Sequence, residues 1–276
     1  MDRIRLIASD MDATLLNEQS QLPADFEETI HALAELGIRF APASGRPLYT
    51  LEAMFPTLQN ELVFIGDNGG AIRWKGQNLF TSEMSPEGWR ALNRLTREQG
   101  DIAVLCGLES AYVERPFAVH DAVLRHFYTK IEYVDRLEDV TAPADKFTIY
   151  LPQHNAQQAY DTVYASQRSI YSVAVAGECW VDIMNPGVHK GAALQTLGQL
   201  WGLPSESIMA FGDTYNDAEM LQTVRYGFLM ENGSEPLRQK VPLLAPSHRE
   251  AGVMQVLHRV LAQNGCVCPE DFVPAH

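Results

Sequence analysis

The chain has few cysteines and no long hydrophobic run. Its 276 residues include only four cysteines, which form no paired framework: Cys106, Cys179, Cys266 and Cys268. No signal-peptide core precedes the first motif, and no apolar stretch approaches the roughly 20 residues that a membrane-spanning helix needs. These absences argue against a disulfide-stapled secreted protein and against a helical membrane protein. We therefore expect a cytoplasmic protein with reduced thiols.

Basic residues are also scarce. Lysine and arginine number 21 against 35 acidic residues, which gives a formal net charge of -14. Nucleic acids and anionic membranes are bound by basic faces, so neither is an expected partner. The expected partner is a small molecule, and an anionic one would have to be captured by local positive charge and a metal ion.

The first distinctive feature is an apolar run in residues 4–17 that ends in two carboxylates. Its isoleucines and leucine show no clean alternation, which is typical of a strand buried on both faces of a parallel sheet. If Asp10 ends that strand, Asp10 and Asp12 point into the same space, while Met11 points away and leaves its backbone N–H free. A hard cation with oxygen ligands would neutralise both carboxylates. The alternative is a solvated turn, in which aspartate is common.

Three later stretches carry residues of related chemistry. A second apolar run is followed by Ser44, Gly45 and Arg46, and Lys190 opens a predicted helix. A third apolar run, residues 207–210, leads into Phe-Gly-Asp-Thr-Tyr-Asn-Asp at 211–217, which contains two aspartates, an asparagine and a threonine. A helix N-cap is the structural alternative for the first of these aspartates, since aspartate is common there.

Helical and strand patterns alternate at both ends of the chain. The first part predicts helices at 23–36 and 48–55, strands at 38–43 and 62–66, and a hairpin at 71–81. The last part predicts helices at 190–201, 216–224, 234–240 and 253–263, with strands at 207–212, 226–230 and 243–245. This order predicts an α/β fold with a doubly wound parallel sheet, in which ligands bind beyond the carboxyl ends of the strands.

The segment between these parts, residues 83–186, has a less regular pattern and is called the inserted segment below. It predicts helices at 86–99, 118–127 and 155–167, and strands at 102–105, 111–114, 146–151, 171–176 and 180–184. Helices mixed with antiparallel strands suggest an α+β module.

The four motifs together resemble those of the haloacid dehalogenase (HAD) superfamily, which are Asp-x-Asp-x-Thr, a Ser/Thr, a Lys and Gly-Asp-x-x-x-Asp, in this order. The position of the insertion is similar to that of the C2-type cap in Cof-like phosphatases of the superfamily. The resemblance implies a Rossmann-like core made of residues 1–82 and 187–276, with an α+β cap at 83–186. One departure is Ala13, which stands where the family usually has glycine.

The resemblance also implies the chemistry. Asp10 would attack phosphorus to form an aspartyl-phosphate, and Asp12 would be the general acid and base. Mg²⁺ would be held by Asp10, the Asp12 carbonyl and Asp213, with Asp217 facing the same ion. The expected phosphate-binding residues, each able to donate a hydrogen bond, are Met11, Thr14, Ser44, Gly45, Lys190 and Asn216. Arg46 and Asn68 are candidate substrate-binding residues, although Arg46 could equally pair with an acidic neighbour.

The predicted function is Mg²⁺-dependent hydrolysis of a small cytosolic phosphate monoester. Sugar phosphates are the first expected class, followed by FMN, pyridoxal phosphate and nucleotides. One alternative is a phosphotransferase or phosphomutase of the same superfamily. A second alternative, from another class, is a phospho-accepting receiver-like signalling module, but a receiver is a single domain of about a hundred residues, and this chain is much longer.

Overall fold

The computed structural model describes residues 1–275, so that His276, the last residue of the predicted core range, lies outside the described part. It contains seventeen strands and nine α-helices among those residues. The strands are β1 (Asp2–Arg3), β2 (Leu6–Asp10), β3 (Arg39–Ala43), β4 (Val63–Gly66), β5 (Ala71–Trp74), β6 (Gln77–Thr81), β7 (Ile102–Gly107), β8 (Ala111–Glu114), β9 (Ile131–Val134), β10 (Ala144–Tyr150), β11 (Ser172–Val175), β12 (Trp180–Met184), β13 (Ile208–Gly212), β14 (Tyr226–Met230), β15 (Leu243–Ala245), β16 (Cys266–Val267) and β17 (Val273–Pro274). The helices are α1 (Phe26–Glu35), α2 (Leu48–Ala53), α3 (Pro86–Gln99), α4 (Asp121–Phe127), α5 (Ala156–Asp161), α6 (Lys190–Trp201), α7 (Ala218–Gln222), α8 (Glu235–Arg238) and α9 (Gly252–Ala262).

The first and last parts of the chain build one nine-stranded sheet. Its strand order is β17-β15-β14-β13-β2-β3-β4-β5-β6. The central strands from β15 to β4 pair in parallel, and antiparallel pairs add β17 at one edge and β5 and β6 at the other. The predicted parallel sheet is therefore confirmed, and β2 lies at its centre.

Helices cover both faces of this sheet. Ile7 of β2 packs in a cluster that includes Phe26 of α1 and Leu257 of α9. Its neighbour Leu6 packs in a second cluster with Leu194 of α6 and residues of α7 and α8. Successive residues of a strand point to opposite faces, so the unalternating apolar run in β2 is required by burial on both sides.

The inserted segment forms a separate six-stranded sheet, ordered β11-β12-β10-β7-β8-β9. All its pairs are antiparallel except β8 with β9. Its alternate residues Phe147, Ile149 and Ile183 pack in a cluster with Trp89 of α3. The mixed helix-and-strand character predicted for the segment is confirmed, while its treatment as an independent domain stays a prediction.

Several predicted helices are shorter in the structure. The helix predicted at 155–167 ends at Asp161, where the Thr162 hydroxyl donates to the Gln158 carbonyl at 2.7 Å. A threonine that bonds to a preceding carbonyl competes with helical hydrogen bonding, and a short 3₁₀ turn, Ala165–Ser169, follows. The helix predicted at 118–127 begins as a 3₁₀ turn, and α4 itself starts at Asp121. Strands β1, β9, β16 and β17 were not predicted, because strands of two to four residues depend on their partners.

Candidate active site

The loop after β2 carries the first two carboxylates. Asp10 is the last residue of β2 and is 8% exposed, whereas the Asp12 side chain is 59% exposed. The chain between them turns sharply, and Ala13 adopts a left-handed conformation with φ of 56°. Left-handed backbone is costly for any residue with a Cβ, so the tight turn is retained here without the glycine that favours it.

The second motif lies at the end of the neighbouring strand β3. The Ser44 hydroxyl accepts a hydrogen bond from the Arg46 N–H at 3.1 Å. The Arg46 guanidinium turns toward the first motif, where Nη2 donates to Asp12 Oδ1 at 2.9 Å and Nη1 lies 2.7 Å from Oδ2. Of the two roles predicted for Arg46, the structure has it paired with an acidic neighbour.

Lys190 joins the first and fourth motifs. It begins α6 and is fully buried, and its Nζ donates to Asp10 Oδ1 and, at 2.7 Å, to Asp217 Oδ1. Burial alone would lower the pKa of Lys190, but the adjacent Asp10 and Asp217 carboxylates outweigh it and hold the pKa above its usual range. Lys190 is therefore a fixed positive charge beside Asp10.

Three carboxylates converge around this lysine. Asp10, Asp213 and Asp217 each place an oxygen within 4.8 Å of the others. Burial raises the pKa of Asp213 to about 6, helped by Asp217, and raises that of Asp10 to about 8, an effect that Lys190 opposes and Asp217 and Asp213 reinforce. When all three carboxylates are ionised, the single ammonium leaves two negative charges uncompensated. An all-oxygen set with that charge fits a hard divalent cation such as Mg²⁺.

Asp217 is already engaged by the protein. Besides the lysine contact of Oδ1, its Oδ2 accepts the backbone N–H groups of Asp213 at 3.0 Å and Thr214 at 3.3 Å. Asp217 and Thr214 also form a capping box at the start of the turn Tyr215–Asp217, in which each side chain accepts the backbone N–H of the other residue. Asp217 thus fixes the loop and the lysine. Asp213 and Asp10 have more carboxylate lone pairs free to coordinate an ion.

The remaining predicted residues occupy the same edge of the sheet. Met11 is buried with its side chain in the core, as the alternation predicted. The Thr14 hydroxyl is buried and lies beside Asp213, the carboxyl group whose pKa it lowers. Asn216 is exposed, and its Oδ1 accepts from the Thr214 hydroxyl at 2.6 Å. Asn68 donates from Nδ2 to Asp182 Oδ2 at 3.4 Å.

A cavity of about 440 Å³ lies between the two sheets. It is lined from the nine-stranded side by Asp12, Ser44, Gly45, Arg46, Asn68 and Asn216, and from the inserted segment by Phe127, Tyr128, Lys146, Thr148, Trp180 and Asp182, with other residues. Volumes of this size are typical of small-molecule sites. The cavity therefore joins residues of the first, second and fourth motifs to side chains of the inserted segment.

Comparison with known proteins assigns the family. A family model of the haloacid dehalogenase-like hydrolases matches residues 7–257. The chain belongs to this family. The family predicted from the four motifs is confirmed, and so is its Rossmann-like α/β fold. The match also favours a hydrolase over the receiver-like alternative.

Other members of this hydrolase family are named phosphatases. The chain is 32% identical to the 5-amino-6-(5-phospho-D-ribitylamino)uracil phosphatase YbjI of Escherichia coli (strain K12), over 94% of this chain and 96% of that protein. It is 31% identical to the HMP-PP phosphatase of Cronobacter sakazakii (strain ATCC BAA-894), over 87% and 89%. The predicted enzyme class, a HAD-type phosphatase, is confirmed at the level of the family.

Two solved structures have a similar fold. The crystal structure of SMU.1108c from Streptococcus mutans UA159 matches with a TM-score of 0.84 and 28% identity, covering 94% of this chain and 99% of that one. TM0651 from Thermotoga maritima matches with a TM-score of 0.81 at 19% identity, over 93% and 97%. Within residues 1–275, no helix is both long and apolar enough to span a membrane.

Sequence patterns did not single out the polar cavity residues of the inserted segment. Lys146, Thr148 and Asp182 lie on strands that were predicted, but they were not singled out. The available signal was the alternation of polar residues at 146 and 148 within an otherwise apolar strand. Alternation identifies the two faces of a strand, but it does not reveal which face meets the first and fourth motifs.

Proposed function

We propose that this chain hydrolyses a small phosphate monoester with Mg²⁺, through an aspartyl-phosphate on Asp10. The observation that carries the proposal is the contact of the buried Lys190 ammonium with Asp10, beside Asp213 and Asp217. This arrangement combines a nucleophilic carboxylate with charges that complement an incoming phosphoryl group. The relatives' names support a phosphatase, and they differ in the phosphate compound, so the sugar-phosphate class stays a prediction.

In the first step, an Asp10 oxygen attacks phosphorus while the bond from phosphorus to the ester oxygen breaks. Asp12 gives its proton to that oxygen, which leaves as the alcohol. In the second step, water attacks the phosphorus of the aspartyl-phosphate and gives its proton to Asp12, which releases phosphate and restores Asp10. Arg46 holds the Asp12 carboxylate beside the cavity that both residues line.

The phosphoryl oxygens need hydrogen-bond donors and positive charge. We assign these roles to Lys190, the Ser44 hydroxyl and the N–H groups of Met11 and Gly45, with Thr14 and Asn216 nearby. Asp10, the Asp12 carbonyl and Asp213 would hold Mg²⁺, and Asp217 would position Lys190 and the loop. When bound, the ion neutralises the negative charge that would otherwise repel Asp10 from the phosphate.

The two sheets support a division of the chain. We propose that residues 1–82 and 187–276 form the catalytic core and that 83–186 form a cap that excludes water from the cavity. Support comes from the separate six-stranded sheet and from the cavity between it and the nine-stranded sheet. Exclusion of water strengthens every electrostatic contact to the phosphoryl group.

Trapping the intermediate tests this proposal. The substrate is p-nitrophenyl phosphate, whose good leaving group needs little help from an acid, and intact-protein mass spectrometry after acid quench detects an added phosphoryl group. We expect the Asp12→Asn variant to accumulate the adduct, because it lacks the base for the second step. Asp10→Asn should form none and should release no phosphate above background.

Two other outcomes would change the assignment. Phosphate release by Asp10→Asn at the wild-type rate would remove Asp10 as the nucleophile. Isomerisation of a sugar phosphate without phosphate release would favour the mutase alternative. Omission of Mg²⁺, with a chelator present, should abolish turnover of the wild-type enzyme and leave its fold intact by circular dichroism.

A further inference from the structure

The inserted sheet turns a polar face toward the nine-stranded sheet. Strands β10 and β12 pair antiparallel, with Thr148 opposite Asp182 and Tyr150 opposite Trp180. Successive side chains alternate between faces, so these four residues share one face, opposite the apolar face that packs on α3. Three of them, Thr148, Trp180 and Asp182, line the cavity of about 440 Å³.

Lys146, on the same face, is held in place by contacts with the protein. Its Nζ donates to the Gly45 carbonyl at 2.6 Å and lies 2.9 Å from Asp67 Oδ1 and 3.6 Å from Asp182 Oδ2. The first two contacts are of hydrogen-bond length, whereas the third is a longer electrostatic contact. Lys146 is therefore a positioning residue that ties Asp182 to the phosphate-binding loop.

Asp182, in contrast, has acceptor capacity left. Its Oδ1 accepts from the Thr148 hydroxyl at 2.7 Å, but its Oδ2 has only long contacts, at 3.4 Å from Asn68 Nδ2 and 3.6 Å from Lys146 Nζ. The adjacent Asn68 Oδ1 is buried with no partner within the described chain. The free acceptor capacity of Asp182 Oδ2 thus calls for a ligand that supplies a hydrogen-bond donor.

Aromatic rings form the adjoining wall. The Trp180 ring centroid lies 5.1 Å from that of Phe127, 4.7 Å from Tyr150 and 6.2 Å from Tyr128. Trp180 is only 6% exposed, and its Nε1 donor has no partner among residues 1–275. Beside it, the cavity is lined by residues with little or no side chain, Ala174, Ala176 and Gly177, which leave room for a flat group.

We propose that this wall is the subsite for the leaving group, and that it takes a planar nitrogen heterocycle carrying N–H donors. The ring packs against Trp180 and Phe127, and its N–H edge donates to Asp182 Oδ2. The inference rests on the proposed phosphatase function and narrows its substrate to esters that combine such a ring with the phosphorylated chain. Esters that resemble FMN or nucleotides are therefore expected to be better substrates than simple sugar phosphates.

Three esters with one phosphorylated chain test the proposal: ribitol 5-phosphate, which lacks a ring, FMN, and FMN methylated at its ring N–H. With the Mg²⁺-loaded enzyme, we expect kcat/KM for FMN to exceed that for ribitol 5-phosphate by on the order of tenfold or more, as base stacking on an aromatic residue would give. Methylation should remove most of this advantage, because it replaces the donor to Asp182.

Substitutions test which residues cause the preference for FMN. Trp180→Leu should abolish the preference for FMN by lowering kcat/KM for FMN much more than that for ribitol 5-phosphate, whereas Trp180→Phe, which keeps a ring, should retain most of the preference. Asp182→Asn should make the enzyme indifferent to ring methylation. Trp201→Leu is the matched control, since Trp201 packs against Trp74 away from the cavity and should change neither ratio.

Equal kcat/KM for FMN and ribitol 5-phosphate in the wild-type enzyme would overturn the inference. So would an equal loss on both esters in Trp180→Leu, since that result indicates a merely structural role. Failure of the proposed function looks different, because the wild-type enzyme would then release no phosphate from any ester, p-nitrophenyl phosphate included.

Discussion

At the scale of single residues, the site depends on one buried ammonium. Lys190 contacts two carboxylates and is fully buried. We expect Lys190→Met to lower phosphate release by about a hundredfold or more, because a preorganised donor to the phosphoryl group is lost. Without Mg²⁺ it should also lower the free energy of unfolding by about 3–5 kcal/mol, because buried carboxylates lose their partner. Steady-state kinetics and urea denaturation measure the two effects.

The control for this substitution is Lys240→Met. Lys240 is exposed, so its loss should change the free energy of unfolding by no more than about 0.5 kcal/mol. A Lys190→Met variant with near-normal turnover would contradict the charge role of the lysine.

A second prediction at this scale concerns the turn after Asp10. Ala13 has a φ of 56°, which costs an L-residue roughly 1–2 kcal/mol. Ala13→Gly relieves that cost but increases the freedom of the unfolded chain by about 0.4–1 kcal/mol. We therefore expect a net stabilisation of up to about 1.6 kcal/mol by urea denaturation. Ala13→Val should be destabilised instead, and the opposite order of the two variants would argue against a left-handed Ala13.

At the scale of elements, the contact between α6 and α7 positions the lysine and its partner. A Cβ on Gly191 would lie 2.7 Å from the backbone carbonyl carbon of Glu219, whereas one on Gly198 of the same helix would meet nothing closer than 3.2 Å. We expect Gly191→Ala to destabilise the protein by about 1–3 kcal/mol and to reduce kcat, because α6 carries Lys190 and α7 follows Asp217.

Gly198→Ala serves as the matched control for this helix contact. It should be neutral or slightly stabilising, since alanine favours a helix by up to about 1 kcal/mol over glycine. Thermal unfolding and turnover of both variants decide the point. Equal behaviour of the two variants would mean that the helices can separate without disturbing the site.

At the scale of the whole molecule, proton binding and metal binding compete. The usual aspartate pKa of 3.8 is raised to about 6 at Asp213 and to about 8 at Asp10, so the folded metal-free protein binds more protons than the unfolded chain between these values. The contribution of both groups to the free energy of unfolding therefore falls as the pH rises through this window. Mg²⁺ replaces those protons, so its stabilising effect should grow with pH.

Thermal unfolding with and without a fixed excess of Mg²⁺ measures this linkage. The increase in Tm on adding Mg²⁺ should be larger at about pH 8 than at about pH 5. An Asp213→Asn variant should show a smaller increase at both values. An increase in Tm that is the same at both pH values would contradict competition between the ion and the protons.

The sequence by itself determined the sheet and the ends of its strands. The apolar runs before Asp10, Ser44 and Asp213 are buried on both sides, so the parallel core and the edge where its motifs meet could be predicted. Short-range patterns suffice there, because each run specifies its own strand and carries its functional residue at the end.

Only the tertiary structure determined which side chains of the inserted segment lie opposite the edge of the nine-stranded sheet where the motifs meet. Lys146, Trp180 and Asp182 enter the cavity because two strands of the inserted segment pair and then pack toward Gly45 and Asp67. Contacts between segments a hundred residues apart leave no local periodic signal. The pairing of Arg46 with Asp12 likewise depends on the tertiary structure, because β2 and β3 are neighbours in the sheet and their ends lie close together.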